Sequence, residues 1–409
     1  MTNPRRQINL LFAIQLISMG AMEMSGPFWP VHLRVLTPSD DLFTFASIAV
    51  YVGPMLGIML TSTFWGRMGD RFGHKAMMMR ALLGLAITQF ALAFAGDVWL
   101  VLVLRFLQGA CAGYIAPAQA YGVCIENPAR RAKLFAFLQV STNFGSLIGA
   151  LVGGVILDHA TFFWINFSAA ILCSSSFAAV WMLLPSVSPT PGGDRSSKRA
   201  RSAKKAKTKD IFRSPQVILV LAVLGALLLA RLITQAPFSM YVLTILGAEN
   251  WMVGLCYGVL ALGFISSASL WARYFEGRAA RDVLLGVCAV IAGCVVVTLV
   301  AGATRSIFVF TAMYFVWGAL LGATTPILTS LVSRSVNDQK QGHVLGLTQS
   351  TAQFSSIAGI ALGGWFSQSA GLSNVYFLVA SVYLCALVLA VFARYRADDV
   401  ARPTHQLGE

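Results

Sequence analysis

Long apolar stretches dominate the chain and are separated by short polar segments. A membrane-spanning helix needs about 20 mainly apolar residues, and twelve stretches meet this requirement. They take up most of the sequence, and no segment outside them is long enough to bury a separate soluble core. The pattern predicts an all-α integral membrane protein with twelve transmembrane helices. The predicted spans are residues 8–33, 42–64, 75–95, 99–123, 133–157, 161–184, 216–246, 251–271, 283–302, 306–331, 343–367 and 373–395.

Composition supports the membrane class. Hydrophobic residues make up 57% of the chain and charged residues 11%, whereas a typical soluble domain is about one quarter charged. The first apolar stretch has no small-residue cleavage site after a short apolar core, so we expect a true span rather than a cleaved signal peptide. The seven cysteines all lie in apolar stretches and form no CxxC pair, so disulfides and metal sites are not expected.

The net charge of +14 is explained by membrane topology better than by nucleic-acid binding. If the N-terminus is cytoplasmic, the outer loops carry only Arg34 and Arg305, and the spans carry only Arg105 and Arg231. All other Lys and Arg then lie in inner loops, tails and inner helix ends, as the positive-inside rule requires. We therefore expect both termini in the cytoplasm, and this charge distribution suits a bacterial inner membrane.

Residues 185–215 form the longest polar segment and contain the basic run GGDRSSKRARSAKKAKTK. This composition predicts a disordered cytoplasmic linker. The linker either acts only as a tether or also binds anionic lipid headgroups. It divides the chain into a six-helix bundle at residues 1–184 and a second bundle at residues 216–395, with a cytoplasmic tail at residues 396–409.

The two predicted halves repeat each other in sequence. The fifth stretch reads LQVSTNFGSLIGALVGG from Leu138, and the eleventh reads TQSTAQFSSIAGIALGG from Thr348. Two parallel six-helix repeats are a known transporter plan, in which substrate binds near the membrane midplane and one half rocks against the other. The matching positions are Gln139 with Gln349, Phe144 with Phe354, Gly149 with Gly359, Gly153 with Gly363, Gly109 with Gly318, Gly113 with Gly322, Pro117 with Pro326, and Pro27 with Pro237.

The segment GRMGDRFGHK, between the second and third predicted spans, resembles the cytoplasmic signature of the major facilitator superfamily. The resemblance covers essentially the whole chain. Within the superfamily the chain looks most like twelve-span drug:proton antiporters and related exporters of metabolites such as siderophores. The resemblance implies two pseudo-symmetric six-helix bundles that work by alternating access.

In the superfamily this segment latches the cytoplasmic faces of the halves together. Its glycines permit a tight turn between helices, and Asp70 can meet exposed amides at a helix N-terminus. The residues that the resemblance assigns to this latch are Gly66, Asp70, Arg71, Gly73 and Lys75.

Two further segments bear on the resemblance. LRFLQG, from Leu104 to Gly109, resembles the family's fourth-helix motif, which implies a role for Arg105 in proton coupling. In the fifth helix the antiporter motif has a proline before its final glycine pair, whereas this chain has Gly149–Ala150 and then Gly153–Gly154. The small residues favour close helix packing, but the missing proline weakens the implied antiport direction.

Glu23 is the only acidic residue well inside a predicted span. Charged residues at the bilayer centre cost about 2.5–3.5 kcal/mol on insertion scales and usually face a cavity. We hypothesise that Glu23 exchanges protons, because burial disfavours its charge and a nearby arginine favours it. Its depth in the membrane allows Glu23 to pair with Arg105 or with Arg231. The alternative to a proton-binding role is a static Glu–Arg pair that only holds helices together. Kinks are predicted at Pro27, Pro30 and Pro237.

The substrate cavity is expected among the first, fourth, seventh and tenth helices and their neighbours. Amide side chains at i, i+4 spacing share one face of the fifth and eleventh helices, where they either bind substrate or join helices. Arg231 favours an anionic or carboxylate-bearing substrate, and aromatic side chains suit varied organic shapes. The candidate substrate-binding residues are Arg231, Gln139, Asn143, Gln349, Gln353, Phe28, Trp29 and Phe238.

These features favour a proton-coupled exporter of small organic molecules, either drug-like compounds or a secreted metabolite such as a siderophore. Proton-coupled uptake of a small organic anion is the main alternative, because the same acid serves either direction. A channel or a sensor fits the repeat less well. An enzyme is disfavoured because there is no Walker-type loop, HExxH motif or Ser/His/Asp set in a soluble domain. The expected partners are substrate, protons and lipid, without cofactor, metal or nucleic acid, and the protein is expected to be monomeric.

Overall fold

The computed structural model describes residues 4–126, 130–185, 215–275, 278, 280–322, 324, 327–328, 331 and 341–401. Within these ranges every regular element is helical, which confirms the predicted all-α class. The helices are α1 (Pro4–Glu23), α2 (Trp29–Leu36), α3 (Asp40–Phe72), α4 (His74–Ala93), α5 (Val98–Cys111), α6 (Ile115–Ile125), α7 (Arg131–His159), α8 (Phe162–Leu183), α9 (Pro215–Ile233), α10 (Phe238–Thr244), α11 (Asn250–Phe275), α12 (Ala280–Ala303), α13 (Ile307–Leu321), α14 (Gln341–Ser369) and α15 (Val375–Ala401).

The predicted spans fall on these helices. Among the described residues, nine segments are long and apolar enough to cross a membrane, or ten if the bent pair of α9 and α10 is one span. α13 is a shorter apolar helix, and the predicted eleventh span coincides with α14. This arrangement fits the twelve-span plan. The predicted linker and most of the predicted tail lie outside the described residues.

Both predicted proline kinks are present. The first span breaks after Glu23 and passes through a 3₁₀ turn at Gly26–Phe28 before α2 begins at Trp29. Pro27 and Pro30 lie in the first turns of these short elements, where a missing N–H is tolerated. The seventh span bends by 42° between α9 and α10, and Pro237 is the residue before α10.

The turn predicted at Gly66–Lys75 is shorter than expected. Gly66 and Gly69 lie inside α3, which continues to Phe72, and Gly73 alone separates α3 from α4. Gly73 has φ 82° and ψ 165°, a conformation that is essentially restricted to glycine. One such residue is sufficient to reverse the chain, so the other glycines need not break the helix.

The fourth span contains a break that the hydrophobic pattern does not predict. α5 ends at Cys111, and α6 begins at Ile115. Ala112 is extended between them, and Gly113 has φ 107°. The single helix predicted over residues 99–123 is therefore replaced by two shorter helices within one apolar segment.

Glycines bring α7 against α1, as the small residues of the fifth span predict. A Cβ added to Gly149 would overlap the backbone of Gly20, and one added to Gly153 would overlap Met24. α14 and α9 repeat this contact, because a Cβ on Gly363 would overlap the carbonyl of Ile233. The sequence repeat thus corresponds to a repeated mode of helix packing.

A second pair of contacts also repeats. The indole Nε1 of Trp65 on α3 donates to the carbonyl of Ala110 on α5 at 2.7 Å. The indole Nε1 of Trp271 on α11 donates to the carbonyl of Ala319 on α13 at 2.8 Å. The second predicted span thus contacts the fourth, and the eighth contacts the tenth, through equivalent tryptophan hydrogen bonds.

The chain contacts define two compact units. One unit contains Met1–Gly193 together with Ala236–Leu262, and the other contains Asp194–Gln235 together with Gly263–Glu409. The segment Ala236–Leu262 includes α10 and the first half of α11, so these elements pack with the first six predicted spans. The division into bundles at residues 1–184 and 216–395 stays a sequence prediction.

Candidate functional site

Glu23 lies at the point where α1 ends. Its side chain is half-buried, and its Oε2 lies so close to Gly26 that a Cβ on that glycine would overlap it. The hydroxyl of Tyr51, on α3, donates to the carbonyl of Gly26 at 2.9 Å. The break in the first span therefore brings backbone and side-chain groups together around one carboxylate.

Arg105 approaches this region from α5. Its Nε donates to the carbonyl of Val50 at 3.0 Å, and its Nη1 donates to Oε1 of Gln108. The guanidinium carbon lies 5.0 Å from the ring centroid of Trp29, a distance suited to cation–π attraction. These three contacts hold a positive charge in place within the predicted fourth span.

Glu23 and Arg105 interact electrostatically. The interaction between Glu23 and Arg105 is coulombic, and the guanidinium instead donates its hydrogen bonds to Val50 and Gln108. Tyr257 on α11 also interacts with the Glu23 side chain. We call Glu23, Tyr51, Arg105 and Tyr257 the Glu23 cluster. It combines a carboxyl group that can bind a proton, a fixed cation and two hydroxyl groups.

The predicted aromatic residues are packed tightly near this cluster. Phe28 and Trp29 have 0% of their surface exposed, and Phe238 has 4% exposed. Trp29 meets Phe162 edge to face at 4.9 Å between ring centroids. Phe238 lies 6.0 Å from the ring of Tyr257. These aromatic side chains support the cluster in the described conformation and leave almost no surface of their own for a substrate.

One predicted amide pair lies on α7 and the other lies on α14. On α7, Nε2 of Gln139 donates to Oδ1 of Asn143 at 3.3 Å, so this pair does share one face. Gln139 is exposed and Asn143 is half-buried. On α14, Gln349 is exposed and Gln353 is half-buried.

Arg231 is half-buried near the end of α9. In the described part of the chain its guanidinium forms no hydrogen bond or ion pair, although it interacts electrostatically with Tyr383. Tyr383 is fully buried and accepts a hydrogen bond from Nε1 of Trp317 at 3.0 Å. The second unit therefore places an uncompensated cation beside buried aromatic residues.

The predicted latch residues are close in sequence but differ in their contacts. Nζ of Lys75 donates to the carbonyl of Trp181 at 2.9 Å and thereby joins α4 to the end of α8. Arg71 is exposed, with its guanidinium 5.4 Å from the ring of Phe72. Asp70 belongs to α3, but its side chain lies outside the described part of the structure.

Sequence reasoning missed three members of this site. Tyr51, Gln108 and Tyr257 contact or neighbour the two charged residues. Gln108 had a local signal, because it follows Arg105 by one helical turn. Tyr51 and Tyr257 had no local sequence signal, since a tyrosine in an apolar helix suits several environments equally well.

The long apolar helices of the described residues define a multi-pass integral membrane protein. The family model of the Major Facilitator Superfamily matches residues 11–360. The chain therefore belongs to the major facilitator superfamily, as its signature segment predicts, and this membership indicates a transporter rather than an enzyme.

Curated relatives cover nearly the whole chain. It is 24% identical over 388 residues to an uncharacterized MFS-type transporter, YuxJ, of Bacillus subtilis, covering 93% of this chain and 96% of the relative. It is 25% identical over 375 residues to the multidrug resistance protein MdtG of Rahnella, covering 89% and 87%. It is 24% identical over 401 residues to the staphyloferrin B transporter of Staphylococcus aureus, covering 93% and 92%.

Solved structures support the fold. The nucleoside transporter NupG matches with a TM-score of 0.74 at 13% identity, covering 96% of this chain and 99% of that chain. A D-xylose–proton symporter matches with a TM-score of 0.69 at 14% identity, covering 95% and 96%.

Proposed function

We propose that this protein exports small organic molecules in exchange for protons, with Glu23 as the proton-binding group. The observation that supports this role is the Glu23 cluster. A carboxyl group inside a predicted span lies at a helix break, interacts with Tyr257 and experiences the charge of Arg105. Intramembrane carboxyl groups of this kind are typical of proton relays in transporters.

The cluster suggests how protonation is linked to movement. Apolar surroundings and a nearby positive charge act in opposite senses on the protonation of a carboxyl group. Glu23 lies beside the break in the first span, and Tyr257 lies on α11, so a shift of either helix changes this balance. A proton that moves down 100 mV supplies about 2.3 kcal/mol, enough for roughly a fiftyfold gradient of an uncharged substrate.

Arg231 supports a substrate that carries an acidic group. Its half-buried guanidinium lacks a partner among the described side chains, and an unpaired charge inside a membrane is costly. A carboxylate or other anion would compensate it. Relatives named as multidrug resistance proteins and as a staphyloferrin B transporter make drug-like molecules and acidic secreted metabolites the proposed substrate classes. Gln139, Asn143, Gln349 and Gln353 would supply further polar contacts.

We further propose that the protein lies in a bacterial inner membrane as a monomer, with both termini in the cytoplasm. The segment from Gly66 to Lys75 would latch the cytoplasmic face during alternating access. The basic linker would tether the halves and approach anionic lipid on the cytoplasmic surface.

Transport into proteoliposomes under an imposed pH gradient tests the role of Glu23. Glu23→Gln keeps the side-chain shape but removes the titrating proton, so we expect proton-driven accumulation to fall to the level of empty liposomes. Glu249→Gln is the matched control, because Glu249 is exposed before α11 and its carboxylate accepts a hydrogen bond from Nε1 of Trp251 at 2.7 Å. Full proton-driven transport by Glu23→Gln would refute the assignment.

Uptake of an organic anion together with protons is the second candidate. It is favoured by Ala150, which stands where the antiporter motif has proline. The same vesicles distinguish the two directions. A proton-exchanging exporter moves substrate in the direction opposite to proton flow. A symporter moves substrate in the same direction as the protons.

A further inference from the structure

A cavity of about 370 Å³ lies among α3, α4 and the break between α5 and α6. None of the residues of the Glu23 cluster lines it. Its walls are mainly apolar and include Ile58, Met77, Ala116 and Pro117. Arg80 contributes a permanent positive charge to the same cavity. Its volume falls within the range of about 300–1,000 Å³ that is typical of small-molecule sites.

Arg80 is fixed by contacts on one side of its guanidinium. The guanidinium lies 3.8 Å from the ring centroid of Trp65. Its Nη1 donates to the carbonyl of Cys111 at 2.9 Å and to that of Ala112 at 3.4 Å. These carbonyls belong to the last residue of α5 and the residue after it, so Arg80 satisfies backbone acceptors that the helix break leaves free.

The other side of the guanidinium retains unused hydrogen-bonding capacity. Among the described residues, Nε is buried without a partner, and Nη2 forms no hydrogen bond. Nη2 faces Gly113, where a Cβ would lie 3.9 Å away, and Gly113 also lines the cavity. The negative end of α5 compensates roughly half a charge, so part of the positive charge of Arg80 remains available.

We propose that this cavity binds an amphipathic organic anion. The acidic group pairs with Nη2 of Arg80, a charged donor that is left without a hydrogen bond among the described residues. The apolar part of the ligand lies against Ile58, Met77 and Ala116. This second site is independent of the Glu23 cluster and does not depend on the direction of transport or on proton coupling.

Binding of two ligands of equal shape and different charge tests the proposal. The probes are 1-naphthaleneacetate and the neutral 1-naphthaleneacetamide, titrated by calorimetry into the full-length protein in phosphatidylcholine nanodiscs. We expect the anion to bind about tenfold more tightly than the amide, in line with a charge-assisted pair. Arg80→Gln should abolish this preference, whereas the control Arg273→Gln, at an exposed residue of α11, should retain it.

A second variant keeps Arg80 and its contacts with α5. Ala116→Leu fills the cavity and should weaken the binding of both probes by about tenfold, since added methyl groups occupy the ligand volume. Ala303→Leu adds the same volume at an exposed helix end and should have no effect. Equal affinities for anion and amide, or unchanged binding in both Arg80→Gln and Ala116→Leu, would overturn the proposal. A thermal melt of each variant shows that the protein is folded.

Nanodiscs that contain phosphatidylglycerol identify the natural source of the anion. If the anionic lipid competes with 1-naphthaleneacetate in the parent protein but not in Arg80→Gln, a membrane lipid occupies the site. If the lipid leaves probe binding unchanged, the site takes a soluble organic anion. Both outcomes support the same chemistry at Arg80.

Discussion

Asp158 at the end of α7 caps the first turn of α11 through Asn250. Its Oδ1 accepts hydrogen bonds from the backbone N–H of Asn250 at 3.0 Å and from Nδ2 of that residue at 2.9 Å. Its Oδ2 accepts from the backbone N–H of Trp251 at 2.9 Å. A helix of one predicted half is therefore capped by a side chain from the other predicted half, within a single compact unit.

Loss of this cap should loosen the start of α11. Asp158→Ala removes three hydrogen bonds, and loss of an N-cap typically costs about 1 kcal/mol, or about a fivefold change in an equilibrium constant. We expect backbone amides at residues 250–254 to exchange with deuterium about fivefold faster, measured by mass spectrometry. Asp97→Ala is the control, because Asp97 caps its own helix through Trp99 at 2.9 Å and should affect only α5. Unchanged exchange at residues 250–254 would contradict the capping role.

The contact between Gly153 and Met24 predicts a stability effect. A Cβ on Gly153 would overlap the Met24 carbonyl, so Gly153→Ala must separate α7 from α1. Overpacking of this kind typically costs about 1–3 kcal/mol, and we expect a clearly lower melting temperature in detergent. Gly96→Ala is the matched control, since nothing lies within 4 Å of the position of its Cβ. Equal melting temperatures for the two variants would refute the predicted overlap.

The helices and proline kinks could be predicted because their signals are local. Apolar stretches indicated the spans, and Pro27, Pro30 and Pro237 indicated where two of them break. The break after Cys111 has no such signal. It depends on Trp65 and Arg80, which lie on other helices and satisfy the carbonyls at the end of α5. These contacts depend on how the helices pack against each other, so the local sequence does not reveal them.

The candidate site was only partly predictable for the same reason. The helical rise per residue placed Glu23 at a membrane depth similar to that of Arg105 and Arg231. Depth alone does not determine which side chains face each other. In the structure, Arg105 lies against the ring of Trp29, just after the break that follows Glu23. Tyr257 joins them because α11 packs closely on α7, where a Cβ on Gly254 would overlap the carbonyl of Ala150.

Two glycines of the signature segment should respond to alanine in opposite ways. Gly66 lies inside α3 with nothing within 4 Å of the position of its Cβ, so Gly66→Ala should stabilise the protein by about 0.5–1 kcal/mol. Gly73 has φ 82°, so Gly73→Ala should destabilise it by about 1–3 kcal/mol. Thermal unfolding of the two variants measures both signs. A destabilised Gly66→Ala variant would show that this glycine has a further structural role.

Gly26 offers a way to displace the Glu23 carboxylate without changing its chemistry. A Cβ on Gly26 would overlap Oε2 of Glu23, and Gly26 does not have a positive φ, so alanine fits the backbone there. The flexible carboxylate must therefore move, whereas the hydrogen bond from Tyr51 to the Gly26 carbonyl can remain.

We expect Gly26→Ala to keep the parent melting temperature within a few degrees but to lose about tenfold in proton-driven flux, since misplacement of a reacting group by about 1 Å can cost that much or more. Gly96→Ala should keep both properties. If Glu23 only joined helices, Gly26→Ala would lower the melting temperature and the flux together. Loss of flux at unchanged stability would instead show that the position of the carboxylate, and not merely its presence, is required for transport.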